Sequence, residues 1–147
     1  MGDIVAISGL AVRVYSAYKD APDDYRHFSE EVAALQILID KVAQLFKSTT
    51  ISSNYHYEGQ KVLKGCQSVL EDLNSLIIEK YRSLASNKRH SLVAFVFTRA
   101  KFGQEDILTL RVRLISNTVL LSSFVQRYVI PTTALQQSYG YLLMFLP

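Results

Sequence analysis

Apolar residues along the first segment of the chain recur at steps of three and four, which is the spacing of one face of an α-helix. The set that carries this spacing, here termed the N-terminal stripe, consists of Ile4, Ile7, Leu10, Val14 and Tyr18. The helix is expected to end near Pro22, because proline disfavours helical geometry in the residue before it. Chain termini are usually polar and frayed. The stripe therefore either closes a core or serves to bind a membrane or a partner protein. The pattern alone leaves both interpretations open.

Three further segments continue the helical pattern. The second follows Pro22 and keeps its spacing over about three heptads. The third is predicted from about Tyr55 to Ala85, after the polar loop KSTTISSN. The fourth covers residues 103–128 and has acidic residues in its first turn, where they face the positive end of the helix dipole. Their apolar faces predict a core seam made of Phe28, Val32, Leu35, Ile39, Leu70, Leu73, Ile77, Leu110, Leu114 and Leu121.

Four amphipathic segments joined by short polar loops predict an all-α fold, an antiparallel four-helix bundle. The stretch Leu92–Phe97 is β-branched and aromatic, as strands are. A lone strand would have no partner, so a short extra helix or a buried turn is predicted there, before the last long helix. The 147 residues favour a single domain, which we place at residues 1–127. Residues 128–147 carry no charge, and Pro131 and Gly140 interrupt their apolar run, so they are predicted to form a docked or partly disordered tail.

Charge is distributed unevenly along the chain. Residues 1–79 hold 7 Lys and Arg against 11 Asp and Glu, and residues 80–147 hold 9 against 2, so charges of −4 and +7 add to the net +3. Such asymmetry is typical of a surface for anionic lipid or nucleic acid. It is equally expected if the two halves pack together and neutralise each other. The candidate basic surface consists of Lys88, Arg89, Arg111 and Arg113.

The sequence contains no motif for catalysis or cofactor binding. The stretch GQKVLKGC lacks the spacing of a phosphate-binding loop, and the three histidines occupy separate segments. Cys66, the only cysteine, lies on an apolar stripe, where cysteine is usually a small buried hydrophobe. A single cysteine allows no intrachain disulfide, which favours a reducing compartment. We therefore expect no enzymatic activity, no cofactor, no metal and no small-molecule substrate. No nucleic-acid partner is expected, because no binding motif accompanies the basic residues.

Two features of the helices stand out, and the first, Asn117, allows more than one interpretation. Asn117 interrupts the stripe of the fourth helix, where a polar residue can fix register or oligomeric state. A neighbouring backbone group could equally satisfy it. Gly59 and Gly65 each weaken the start of the third helix by about 1 kcal/mol relative to alanine.

Three stretches resemble the fungal N-terminal domain at the head of NLR-like STAND proteins, a group of the HeLo-like helical bundles. They are GDIVAISGLAVRVYSAYKDAPDDYRHFSEEVAALQILID, VLKGCQSVLEDLNSLIIEKYRSLAS and GQEDILTLRVRLISNTVLLSSF. The resemblance covers about residues 2–127. The chain departs from it at HSLVAFVFTRAKFG, where many relatives carry a tryptophan-rich stretch and this sequence has no tryptophan.

The resemblance implies a non-enzymatic, cytoplasmic signalling module that acts by self-association and membrane engagement in regulated cell death or incompatibility. In the family's proposed output the first helix moves to a membrane after oligomerisation, which would make the N-terminal stripe the effector surface. The partners it implies are homologous helical bundles, a second copy of the chain and, on activation, an anionic membrane surface. The alternative is an adaptor bundle that binds proteins with no membrane step.

Overall fold

The computed structural model describes the backbone of residues 2–21, 23–48, 51–85 and 104–144, and the side chains of residues 3–21, 25–48, 51–76 and 107–127. Its helices are α1 (Gly2–Lys19), α2 (Asp23–Lys47), α3 (Ser53–Ala85) and α4 (Gln104–Met144). All other described residues are turns or irregular backbone, which confirms the prediction of an all-α helical bundle. The predicted features at Lys88, Arg89 and Leu92–Phe97 lie outside the described residues.

The helix ends follow local sequence signals, with one exception. α1 ends at Lys19, three residues before Pro22, and α3 begins two residues before the predicted Tyr55. α4 does not end at Tyr128 but continues through Pro131 to Met144. A proline inside a helix removes one backbone hydrogen bond but has a φ close to the helical value, so it need not end the helix. Docking of residues 128–147 on the bundle stays a prediction, because their side chains lie outside the described ranges.

The four helices form a ring in the order α1, α2, α4, α3. Consecutive helices run antiparallel, whereas α1 and α3, and likewise α2 and α4, lie side by side in parallel. The connection from α2 to α3 therefore crosses one end of the bundle diagonally. Packed helices lie 8–10 Å apart, so this diagonal is roughly 11–14 Å. The five residues between Lys47 and Ser53 can span it, because an extended chain covers about 3.3 Å per residue.

The core consists of the faces that the periodicity predicts. The members of the predicted seam that are buried are Phe28, Val32, Leu35, Ile39, Leu70, Leu73, Leu114 and Leu121. Leu110 is partly buried against them, and the side chain of Ile77 lies outside the described residues. The core therefore receives side chains from every helix, and each helix contributes mainly one face.

Gly59 of α3 is required by close packing. A Cβ built at this position would lie 2.5 Å from Cζ of Phe46 and 2.8 Å from Cζ of Phe124. These rings come from α2 and α4, and they meet over α3 only because Gly59 has no side chain. The glycine that weakens α3 locally thus allows three helices to approach at one point.

Asn117 of α4 is satisfied within its own helix and lies over a second glycine. Its Nδ2 donates a hydrogen bond to the carbonyl oxygen of Arg113 at 2.8 Å. A Cβ at Gly65 would collide with Oδ1 of Asn117, so the two residues fix the position of α4 along α3. A neighbouring backbone group therefore satisfies the amide of Asn117, and its close approach to Gly65 is in keeping with a role in register as well.

Candidate interaction surface

The N-terminal stripe faces the interior of the bundle. All five of its residues are buried, with at most 8% of any of them exposed. Tyr18 is its polar anchor, because its hydroxyl donates a hydrogen bond to the carbonyl oxygen of Leu73 at 3.0 Å. Burial, with an additional contribution from Tyr25, raises the pKa of Tyr18. In this structure α1 closes the core between α2 and α3, and its stripe is not on a surface that could meet a membrane.

The arginines of α4 are paired with acidic residues from the first half of the chain. The nitrogen–oxygen contacts are Arg111–Glu31 at 2.8 Å, Arg113–Asp72 at 2.6 Å and Arg127–Glu58 at 3.8 Å. The pairs of Arg113 and Arg127 are exposed, and such pairs contribute about 0–1 kcal/mol each, so their main effect is to neutralise charge. Glu31 is half-buried in its pair with Arg111. Arg111 and Arg113 therefore do not form the free basic surface expected from the sequence. For these three arginines, packing of the two halves accounts for the charge asymmetry.

α4 carries a second set of apolar residues on its outward side. This set, here termed the α4 outer face, consists of Leu108, Val112, Ile115, Val119 and Leu120, which are 45–62% exposed. The first four recur at steps of four, three and four, which is the spacing of a seam between packed helices. The face lies opposite the core side of α4, to which Leu114 and Leu121 belong. Its arrangement suits contact with another apolar helix.

A small cleft opens at the end of the bundle where α1 begins. It has a volume of about 240 Å³, and Asp3 and Lys64 contribute opposite charges to its walls, beside the apolar Ile7. The rings of Phe46 and His56, which also line it, are stacked with centroids 4.3 Å apart. Typical small-molecule sites measure about 300–1,000 Å³. The cleft is thus smaller than a typical small-molecule site.

The residues with the most reactive chemistry are not assembled into a site in the described part of the chain. Cys66 is buried in the core, and burial raises the pKa of its thiol to about 12. Because the thiolate is the reactive form, this cysteine is a packing residue at neutral pH. No group of three or more His, Cys, Asp or Glu among the described residues could hold a metal ion.

The α4 outer face is the candidate interaction surface that the sequence reasoning does not identify. The pattern of α4 contains two apolar sets, and periodicity alone assigns the set through Leu114 and Leu121 to the core. The α4 outer face could have been found from the sequence, because its residues from Leu108 to Val119 recur at the same helical spacing on the opposite side of α4. A helix with apolar residues on both sides is either buried all round or covered by something else.

Comparison with known proteins gives no match: no protein-family model, curated protein or solved structure is similar to the chain. The HeLo-like resemblance therefore depends on the three quoted stretches alone.

Proposed function

We propose that the chain is a non-enzymatic signalling module that works by binding other helical bundles, in keeping with its resemblance to the fungal N-terminal domain of NLR-like proteins. The observation that carries this proposal is the α4 outer face. Exposed apolar residues on monomeric proteins are usually scattered singly, whereas contiguous patches tend to mark interaction sites. Four residues of this face, Leu108, Val112, Ile115 and Val119, follow one side of a helix over about three turns, and Leu120 is exposed next to Val119.

A binding surface on α4 requires no rearrangement of the bundle, in contrast to one on α1. Exposing a buried aliphatic side chain costs about 1.5–3 kcal/mol, so exposing the four aliphatic residues of the N-terminal stripe would by itself cost roughly 6–12 kcal/mol. A domain of this size has a total stability of about 5–15 kcal/mol. Release of α1 would therefore amount to unfolding, unless an external contact offset most of that cost.

Membrane engagement is the second candidate, and one observation favours it. The stretch Ile107–Arg127 is long and apolar enough to cross a membrane by length and composition, and only 17% of it is buried. The same residues that would meet a partner helix could then lie against lipid. In this case the chain would be cytoplasmic until activation and would associate with a membrane through α4.

Vesicle flotation distinguishes the two candidates. The full chain is mixed with vesicles of phosphatidylcholine, and separately with vesicles that also contain phosphatidylserine. We expect the protein to remain unbound to both, because the arginines of α4 are already paired. The matched variants are Val112→Asp on the α4 outer face and Ile37→Asp on the outward side of α2, where the replaced side chains are 62% and 58% exposed. Flotation that Val112→Asp abolishes and Ile37→Asp retains would overturn the protein-binding proposal and establish the membrane candidate.

A further inference from the structure

The α4 outer face has the same spacing in both directions along the helix. From Leu108 the steps to Val112, Ile115 and Val119 are four, three and four. A two-fold axis placed beside α4 between Arg113 and Leu114 therefore brings Leu108 against Val119 of the partner subunit. The same axis brings Val112 against Ile115 of the partner subunit. Dimer interfaces with two-fold symmetry require this kind of self-complementary surface.

We infer that the α4 outer face is the interface of a homodimer, in which the α4 helices of two copies pack antiparallel about this axis. The inference rests on the proposed function and names the partner as a second copy of the chain. Each seam position is occupied by an aliphatic side chain, as in helix pairs that pack knobs into holes. Leu120 follows Val119 about 100° further around the helix, so it is exposed but lies outside the seam.

The charges next to the face favour an apolar protein partner over an anionic lipid surface. Arg111 flanks the seam, whereas Arg113 lies on the side of α4 that faces α3, and both are tied to carboxylates of their own chain. The two-fold axis places Arg111 opposite the neutral Ser116 of the partner subunit, so no like charges face each other across the pair. From Leu108 to Arg127 the helix contains no acidic residue. Because the seam positions are aliphatic and the nearby arginines are paired with carboxylates of their own chain, the seam is electrically neutral in both copies.

The extent of the face sets the expected strength of the dimer. Stable interfaces bury about 800 Å² and about 20–30 residues on each partner. The α4 outer face supplies five apolar residues, so its dimer is weak and forms in the micromolar range rather than persisting on dilution. This weakness suits a module whose association is controlled by local concentration.

Sedimentation velocity of the full chain across the micromolar range tests the inference. The mass is expected to rise from 16.6 kDa to twice that value with concentration. Val112→Asp should remain monomeric at all concentrations, and Ile37→Asp should follow the wild type. Circular dichroism melting checks that both variants are folded. A wild type that stays monomeric, or a dimer that Val112→Asp does not weaken, overturns the inference.

Disulfide trapping tests the orientation of the two copies. Val112→Cys and Ile115→Cys are prepared separately, and the native Cys66 does not compete because it is buried. In the antiparallel dimer a mixture of the two variants forms the mixed disulfide faster than either variant forms a disulfide with itself. Faster self-pairing of each variant indicates parallel helices and overturns the arrangement.

The same variants separate failure of the inference from failure of the proposed function. A monomer whose Val112→Cys thiol reacts freely with a thiol reagent overturns the homodimer but leaves binding to a different bundle in place. A monomer whose thiol is protected assigns the face to another part of the same chain and overturns both. Flotation with vesicles also overturns both.

Discussion

α1 and α4 are both rich in apolar residues, but they use them in opposite ways. α1 directs its most regular stripe inwards, and its exposed apolar residues, Val5, Val12 and Tyr15, do not form one continuous line. α4 fills the core with one side and leaves a second regular set exposed. The comparison shows that a conspicuous apolar stripe at a chain end can be fully used by folding. The regular apolar set that stays exposed lies instead on α4, whose opposite side contributes to the core in the usual way.

The largest expected effect concerns the two sides of α1. Val14 is fully buried and Val12 is 44% exposed, so Val14→Asp and Val12→Asp make the same chemical change on opposite sides of one helix. Val14→Asp should destabilise by about 4 kcal/mol or more, because it places an unpaired carboxyl in the core. Val12→Asp should stay within about 0.5 kcal/mol of the wild type. Urea unfolding measures both, and equal midpoints would contradict the inward orientation of the N-terminal stripe.

Two neighbouring leucines make the same comparison within α4. Leu121 is fully buried and Leu120 is 55% exposed. Leu121→Ala should lower the free energy of unfolding by about 2–5 kcal/mol, because it leaves a cavity in the core. Leu120→Ala should change it by less than about 0.5 kcal/mol when measured in dilute solution. A substantial loss for Leu120→Ala in the dilute monomer would mean that the outer face is covered within its own chain.

Glycine substitutions compare the packed and open sides of the helices. Gly59→Ala places a methyl group against Phe46 and Phe124 and should cost about 1–3 kcal/mol through overpacking. At Gly9 a Cβ would have no neighbour within 4 Å. Gly9→Ala should therefore stabilise α1 by about 0.4–1 kcal/mol. Thermal melting of the two variants should shift in opposite directions, and a stabilising Gly59→Ala would disprove the three-helix contact.

The smallest effect isolates the hydrogen bond of Tyr18. Tyr18→Phe should cost about 0.5–1.5 kcal/mol at neutral pH, because it removes the bond to Leu73. The pKa of Tyr18 is raised in the folded state, so the unfolded state loses this proton first as the pH rises. Stability should therefore fall above pH 10, the ordinary value for tyrosine, and fall less steeply in Tyr18→Phe. Cys66 adds a decline of the same sign from pH 9 to about 12 in both proteins. Identical alkaline slopes would show that Tyr18 is not buried as described.

The sequence predicts what depends on local spacing. Helical periodicity identified the buried faces around Leu35 and Leu73, and Pro22 marked the end of α1. The extension of α4 past Tyr128 could not be predicted from Pro131, since proline is compatible with either outcome. The pattern places Leu114 and Leu121 on the core side of α4, as the structure has them, but it does not show whether the second apolar set, on the opposite side, stays exposed until the neighbouring helices are placed.

The remaining features depend on contacts between distant segments. Arg111 and Glu31 are 80 residues apart in sequence, and their pairing follows from α4 lying beside α2. The roles of Gly59 and Asn117 depend in the same way on the registers of three helices. These registers are set by packing across the bundle, for which a single sequence carries no direct signal.

The diagonal connection between α2 and α3 has a consequence for how the protein folds. Because the ring places α1 beside α2 and α3 beside α4, the bundle is two helical hairpins docked through non-consecutive helices. The α1–α2 hairpin has the contacts of lowest sequence separation, such as Ser8–Asp40 at 32 residues, and is expected to form first. Contacts that involve α3 or α4 have higher separations, up to 80 residues for Arg111–Glu31. During synthesis the α1–α2 hairpin emerges first, with the core side of Leu35 and Ile39 uncovered until α3 and α4 follow. We therefore expect docking of the hairpins to limit the rate of folding, and this interval to be the time when the nascent chain most needs protection from aggregation.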